Sequence, residues 1–329
     1  MKLPRRQFLR LAAGTVALPA ITPIARAQAY PARPIRLVIP FPPGGAYDFV
    51  GRPWADRMKH SLGTVVVENS GGGGGSLGAA AVARAQPDGY TLLLGGTLPH
   101  VNEALVKRKP LYDPIKDLDP IAVLAANFLC IAVHPTVPVE SLKELIAYAK
   151  ANPGKLSYGH AGAGSIQHLT GELFKSLAGA PEIVQVPYRG TGPLITDLIG
   201  GHIQMGIPGV TGQAFELHRS GKMRVLAVTS PARLIAAPEL PTAAEQGFPG
   251  LTVKGSIGLL APAGTSIGII EQLAQATRMA IAEPAYKQML IDAGIEPALE
   301  TSPEKFRRAL AADVALWDPV VNAVGLKID

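Results

Sequence analysis

A single cysteine, Cys130, stands in 329 residues, so no intrachain disulfide can form even in an oxidising compartment. It lies inside the apolar run NFLCIAV and reads as a buried, inert thiol. The seven histidines show no H-x-x-x-H pair and no Cys/His ligand spacing, which argues against a metal site; no cofactor is expected. Only 17% of residues are charged, yet 47% are hydrophobic, enough for real cores and too much for disorder.

An excess of either charge is also missing once the first residues are set apart. PRRQFLR (4–10) carries the pair Arg5-Arg6; LAAGTVALPAITPIA (11–25) has no charge; Ala25-Arg26-Ala27 is a small-x-small exit. A basic head, an apolar middle and such an exit read as a secretory leader. The arginine pair points to the twin-arginine route. The apolar run is shorter than the ~20 residues a spanning helix needs. Cleavage after Ala27 or after Ala29 fits equally, and no cysteine lies there to carry a lipid. The expected protein is exported, periplasmic, soluble and not lipid-anchored. Lys2, Arg5, Arg6, Arg10 and Arg26 leave with the leader, so 31 basic residues become 26 against 25 acidic ones. A nucleic-acid or anionic-membrane partner therefore has little support.

What the chain has in quantity is glycine and proline, 36 and 30 residues, the mark of many tight turns. About 300 mature residues suggest two domains. Apolar runs alternate with helical patterns: IRLVIPF (35–41), then a helix over 48–62; TVVVEN (64–69), then LGAAAVARA; YTLLLGG (90–96). IAVLAANFLCIAVHP (121–135) is one long strand or two. A helix follows at 141–154, with Ser141 as N-cap, Glu144 at the capping-box position and Gly154 as terminator. KLSYGHAG, EIVQVPYRG, IQMGIPG and RVLAVTSP (224–231) continue the strands. Residues 238–265 read as irregular, and terminal helices are expected near 266–282 and 303–323. This order predicts α/β units on largely parallel sheets.

Three glycine loops carry the candidate chemistry. FPPGGAYD (41–48) follows a strand and opens a helix, where free N–H groups make an anion cradle. Its candidates are Phe41, Gly44, Gly45, Ala46, Tyr47 and Asp48; Asp48 is a helix N-cap, a site residue or both. GGGGGSLG (71–78) satisfies G-x-G-x-x-G through Gly73, Gly75 and Gly78. A dinucleotide site also needs an acid ending the next strand, and that strand ends TLLLGG. Gly96 and Thr97 at that end are further candidates. GHAGAGSIQHL (159–169) again places glycines before a helix, with Ser165 at the N-cap and His168 three residues on. His160, Gly162, Ala163, Gly164, Ser165 and His168 are its candidates. A Ser165/His168 nucleophile pair is the competing reading, although Ser165 is not in G-x-S-x-G. Tyr188 and Arg189 in VPYRG are a surface turn or a ligand edge.

The motifs YPARPIRLVIPFPPGGAYD, VVVEN, ARAQPDGYTLLLG, YDPIKDLDPIAVL, AGAGSIQHLTGELF, VPYRGTGPLITDLIGG, PELPTAAEQGFPG and GLLAPAGT, in this order, resemble the Bug-type periplasmic solute receptors of tripartite tricarboxylate transporters. The resemblance runs from about Tyr30 to the C-terminus. It implies a two-lobed, Venus-flytrap fold of the periplasmic-binding type, type II-like, each lobe a mostly parallel sheet flanked by helices. It implies a small carboxylate held between the PPGG and GAGS loops, integral-membrane permease subunits as partners, a monomer, and no enzymatic activity. Expected lobes are 30–126 with 230–329, and 127–229. The chain departs from the pattern at Tyr47 (commonly Thr or Ser), at Ser70-Gly71 (often Arg-Pro), at Ile207-Pro208-Gly209 (often F-D-N) and at Ser256-Ile257, where a tryptophan is common. Pro208 completes the candidate site, and the missing acid there favours a ligand without an ammonium group. Tyr47 and Ser165 are expected on opposite walls of the cleft. The rival function is an exported nicotinamide-dependent oxidoreductase using Gly73-x-Gly75-x-x-Gly78.

Overall fold

The structure is a computed structural model that describes residues 30–327; the leader reading of residues 1–29 lies outside them. The elements below belong to one unit that begins at Arg33. Aliphatic runs become buried strands, each feeding a helix: β1 (Ile35–Ile39) into α1 (Ala46–Arg57), β2 (Val65–Asn69) into α2 (Ser76–Ala83), and β3 (Thr91–Gly96) into the short α3 (Thr97–Val101). The last continues as a π-helical turn, Asn102–Val106. β4 (Leu118–Phe128) and β5 (Cys130–Val133) follow. Then come α4 (Leu142–Ala151), β6 (Ser157–His160), α5 (Ile166–Ala178), β7 (Val184–Pro187), α6 (Thr191–Ile199), β8 (Met205–Gly206), α7 (Gly212–Arg219) and β9 (Arg224–Val228). The chain closes with β10 (Lys254–Pro262), α8 (Ile267–Ala282), α9 (Pro284–Asp292), β11 (Glu296–Pro297) and α10 (Pro303–Ala323).

Two sheets result, in the orders β11-β4-β10-β3-β1-β2 and β7-β6-β8-β5-β9. Both are mixed, where largely parallel sheets were expected. β1 runs parallel to β2 and β3, but β10 is antiparallel to β3 and β4. β6 runs parallel to β7 and β8, but β5 is antiparallel to β8 and β9. The strands that enter and leave a sheet at the crossing must run against the βα units.

The long apolar run is two strands in two sheets, broken at Leu129. The crossing is pinned by Thr229. Its Oγ1 accepts the Leu129 N–H at 3.0 Å and donates to the Val253 carbonyl at 2.7 Å; its N–H donates to Leu129 O at 2.9 Å. Outgoing and returning chain are thus tied at one buried hydroxyl. Residues beyond the return stay with the second sheet: Leu234, Ala237 and Leu240 pack with Ala132, Phe215 and Val228. A larger core crosses between the sheets, joining Val101, Val106, Trp317 and Val321 to Ile131, Leu169 and Phe174.

The stretch expected to be irregular, 238–265, contains β10, a strand inside the first sheet. Its glycines hide it in the sequence and have a packing cause. A Cβ at Gly258 would stand 2.4 Å from Ala122 O and 2.6 Å from the Phe306 ring. Helix α9, opened by Pro284 at N1, was also not foreseen. Gly154 does not terminate α4, which ends at Ala151; it turns the chain beyond, at φ 75°. Ser141 caps α4 as expected, accepting Glu144 N–H at 3.2 Å. Glu144 reaches back to the Glu140 N–H at 2.6 Å.

One corner ties β3, β10 and helix α10 together. Gly96 lies so close to β10 that a Cβ would sit 1.8 Å from Ser256 O, at φ 153°. The next residue, Thr97, accepts Ser256 N–H at 2.8 Å and donates its hydroxyl to Asp313 Oδ2 of α10. Burial pushes the Asp313 carboxyl up to about 6, against the pull of the Thr97 hydroxyl and the Lys254 ammonium. Gly96→Ala is expected to destabilise the fold by more than about 3 kcal/mol in urea melts, because backbone rather than a flexible tip must move. For Asp313 the folded chain keeps a proton that the unfolded chain loses near 3.8, so this group's stability is complete at low pH and drains away as pH rises through about 6. Asp313→Asn keeps an acceptor for Thr97 without the charge. It should be more stable than wild type by roughly 2–3 kcal/mol at pH 7.5 and show little difference near pH 4, read by urea melts at both.

Candidate functional site

The first candidate loop is the junction of β1 and α1. Gly45 is the N-cap of α1 and makes no side-chain cap. The N–H groups of Gly45, Ala46 and Tyr47 have no hydrogen-bond acceptor among the described residues. Asp48 is the third residue of the helix, not its cap. Its Oδ2 reaches back to the Gly44 N–H at 3.1 Å and accepts Arg52 Nε at 2.9 Å. Its Oδ1 accepts Asn69 Nδ2 at 3.1 Å. Partial burial pushes the Asp48 carboxyl up, but the hydrogen bonds from Arg52, Gly44 and Asn69 win and hold it below the usual carboxylate range. Asn69 also donates to Phe41 O at 2.9 Å and accepts Arg52 Nη2 at 2.6 Å. The loop is therefore braced from below, with its acid fully engaged inside the protein.

Tyr47 folds back over Phe41, ring centroids 4.5 Å apart. Its phenol is turned inward, where it accepts the Leu98 backbone N–H. Burial raises the phenol above its ordinary range and the nearby Asp313 carboxylate adds to this. Tyr47 thus offers its ring more readily than its hydroxyl. Gly96 and Thr97 stand behind it, with the Thr97 hydroxyl already committed to Asp313. The five-glycine loop closes against the same wall: a Cβ at Gly75 would stand 3.0 Å from the Phe41 ring. Gly78 lets α2 pack on the strand ends, since a Cβ there would meet Ser70 O at 2.5 Å.

The second candidate loop joins β6 to α5. Ser165 caps α5 as expected: Oγ accepts the His168 N–H at 3.2 Å, leaving the hydroxyl proton to donate. Gly162 and Gly164 take φ of 114° and 75°, which a turn closed by Ser165 N–H to Gly162 O at 3.1 Å requires. His168 Nδ1 accepts the Gly164 N–H at 3.2 Å. This excludes the nucleophile reading, because the imidazole faces Gly164 and Ser165 Oγ faces a backbone N–H. The His160 ring stacks on His168 at 4.3 Å and 15°. His160 Nδ1 lies 3.2 Å from Gly162 N and 3.0 Å from Gly162 O, and its Nε2 lies 2.6 Å from Gln185 Oε1. The N–H groups of Ala163, Ile166 and Gln167 have no acceptor among the described residues.

Tyr188 donates its hydroxyl to Asp197 at 2.8 Å; burial and then the Asp197 carboxylate push the phenol up to about 12. Pro208 is buried, and its carbonyl accepts the Cys130 N–H at 3.0 Å. The supports Arg52, Asn69, Gln185 and Asp313 were not singled out in the sequence. Among the described residues no group of three or more His, Cys, Asp or Glu is placed to hold a metal. No described helix is long and apolar enough to cross a membrane.

Both loops sit where parallel strands hand over to helices, the position at which open α/β sheets bind ligands. Known proteins match this arrangement. Residues 50–326 match the family described as tripartite tricarboxylate transporter family receptor. Protein BugT of Bordetella pertussis is 35% identical over 316 residues, covering 95% of this chain and 96% of BugT. The structure of Rpa4515 from R. palustris with adipate has a TM-score of 0.79 at 34% identity, covering 91% of this chain and all of that one. MatC (Rpa3494) from Rhodopseudomonas palustris with bound malate has a TM-score of 0.77 at 30% identity, covering 89% of this chain and all of that one. A family match over most of the sequence and this identity along nearly its full length establish that the chain belongs to the Bug-type receptors of the tripartite tricarboxylate transporter family, which are periplasmic solute-binding proteins.

Proposed function

We propose that this receptor binds a small dicarboxylate or planar carboxylate between the loops at 41–48 and 160–168 and delivers it to permease subunits in the membrane. The observation that carries this reading is the pair of helix starts whose N–H groups find no acceptor among the described residues, Gly45 to Tyr47 on one and Ala163, Ile166 and Gln167 on the other. Such groups hold an anion without a cationic side chain. The malate and adipate of the two similar structures belong to the same ligand class. Ile207-Pro208-Gly209 offers no acid, and Asp48 is engaged internally, so an ammonium group finds no partner. Phe41 and Tyr47 would form one wall, backed by Gly96 and Thr97, and Ser165 and Tyr188 the other, backed by the buried His160, His168 and Pro208. The lobes would be 30–126 with the C-terminal part, and 127 onward, with the return crossing near Val253 rather than at 229–230, because Leu234 to Leu240 pack with the second sheet. The protein would leave the cytoplasm by the twin-arginine route and act as a monomer.

The oxidoreductase reading is not favoured. The strand after the five-glycine loop ends at Gly96, pressed on Ser256 O, where no ribose-binding acid can stand.

A thermal-shift panel of malate, adipate, aromatic carboxylates and amino acids tests the ligand class; the largest shift is expected from a carboxylate without an ammonium group, and amino acids at the top would overturn it. Ser165→Ala should lower the ligand-free Tm through loss of its cap, about 1 kcal/mol. It should also cut the ligand-induced shift, through loss of a hydrogen bond to a charged group worth roughly 1.5–3 kcal/mol. Tyr47→Thr should reorder ligand preference more than it changes stability. Titration calorimetry of the best ligand between about 0.05 and 0.5 M salt should show less than a tenfold change in Kd, because a buried dipole cradle is screened far less than exposed ion pairs.

A further inference from the structure

The helices α1 and α5 begin in the same unusual way. In each, the third residue sends its side chain back to the N–H of a glycine just before the cap: Asp48 to Gly44 at 3.1 Å, His168 to Gly164 at 3.2 Å. A residue at that position ordinarily closes a capping box with a carboxylate or amide. In α1 the acceptor is negative, and the Arg52 guanidinium at 2.9 Å offsets it. In α5 the acceptor is an imidazole. The His168 ring is almost fully buried and held flat against His160. Its backbone N–H is fixed in turn by Ser165 Oγ.

We infer that His168 is a positioning residue of the second loop: its neutral Nδ1 takes the Gly164 N–H so that the N–H groups of Ala163, Ile166 and Gln167 stay free for an anion, without a negative charge beside it. The inference rests on the carboxylate-receptor reading. It assigns His168 the tautomer with the proton on Nε2, because Nδ1 must present a lone pair. Burial, and then the neighbouring His160, lower His168 to about 4, which keeps it an acceptor at neutral pH. The titratable groups around the pair are Glu172 and Lys175 of α5 and Tyr158 of β6, whose hydroxyl donates to Glu172 at 2.7 Å. Glu172 favours the charged imidazole and Lys175 opposes it. A carboxylate at position 168 would close the turn equally well but would repel the bound anion; the imidazole closes it without that cost.

Two amides separate this role from direct ligand contact. In His168→Asn the Oδ1 atom falls near the place of Nδ1 and can accept the Gly164 N–H. In His168→Gln the terminal amide falls near the place of Nε2 and cannot. Adipate is the probe, measured by calorimetry, with amide hydrogen exchange at Gly164 read by NMR in the ligand-free proteins. The expected result is adipate affinity within about threefold of wild type for His168→Asn and a loss of about tenfold or more for His168→Gln. Gly164 should stay protected in wild type and His168→Asn and lose protection in His168→Gln. In wild type, imidazole nitrogen spectra should show the Nε2–H tautomer at pH 7.5 and still at pH 6. Retention by Gln with loss by Asn would make His168 a direct donor to the ligand and overturn the inference. Equal behaviour of the two variants, or an Nδ1–H tautomer, would overturn it too. If wild type bound no carboxylate at all, the receptor reading would fail, while the exchange and tautomer measurements would still decide the role of His168.

Discussion

The proposed anion site depends on backbone N–H groups at two helix starts that meet no acceptor among the described residues. A folding chain ordinarily pairs such groups, and the first turns of α1 and α5 offer several ways to do so. The structure prevents this by spending other atoms. Asp48 and His168 take the N–H groups of Gly44 and Gly164, Ser165 Oγ takes that of His168, and those of Gly45 to Tyr47, Ala163, Ile166 and Gln167 meet no acceptor among the described residues. The glycines at positive φ aim the peptide planes, and the side chains behind them hold the aim. The cation of the α1 start, Arg52, is engaged by Asp48, so in the proposed reading oriented dipoles would hold the anion.

The second constraint is the crossing. One threonine hydroxyl, Thr229, ties Leu129 to Val253, so the outgoing and returning chain meet in one buried hydrogen-bonded knot. Around it the apolar core is continuous: Trp317 and Val321 of the last helix share a cluster with Leu169 and Phe174 of α5. Helix α10 therefore serves both halves. It carries Asp313 against Thr97 behind the first loop and Trp317 into the core beneath the second. A shift of α10 would be felt at both.

Much of this was legible in the sequence, and the rest was hidden for identifiable reasons. The strands β1, β2, β3 and β9 are dense apolar runs ending in turn residues, and they stand where they were expected. The cap at Ser165 was readable because capping chemistry is local. β10 was not, since Gly255, Gly258 and Pro262 look like loop; only the approach of Asn127 to Gly255 and of Ala122 O and Phe306 to Gly258 shows why the two glycines must be small. Asp48 was placed at the right helix but one role away, because a residue two beyond the first helical position can brace as well as cap. Tyr47 was expected on a wall of the cleft, but the inward turn of its phenol to Leu98 depends on α3 and α10, more than fifty residues and more than two hundred residues along the chain. Asn69, Gln185 and Asp313 act through partners distant in sequence, which no spacing rule reveals, whereas Arg52 meets Asp48 one helical turn away, a pair that i,i+4 spacing could have found.

The same geometry constrains the chemistry of the ligand from a second direction. Two carboxylates lie near the first loop: Asp48, offset by Arg52, and Asp313, whose proton is held up to about 6. Each is engaged by donors from the protein, so neither reaches out to an ammonium group, and both limit how much negative charge the wall tolerates. The second loop carries no carboxylate in its first turn, and its nearest acid, Glu172, is engaged by Tyr158 and Lys175. The two loops are therefore not equivalent electrostatically. In the proposed reading a dicarboxylate would turn one carboxylate toward α5, while the end toward Phe41 and Tyr47 would meet aromatic surface. That polarity follows from which side chain braces each glycine turn, a carboxylate in one loop and an imidazole in the other.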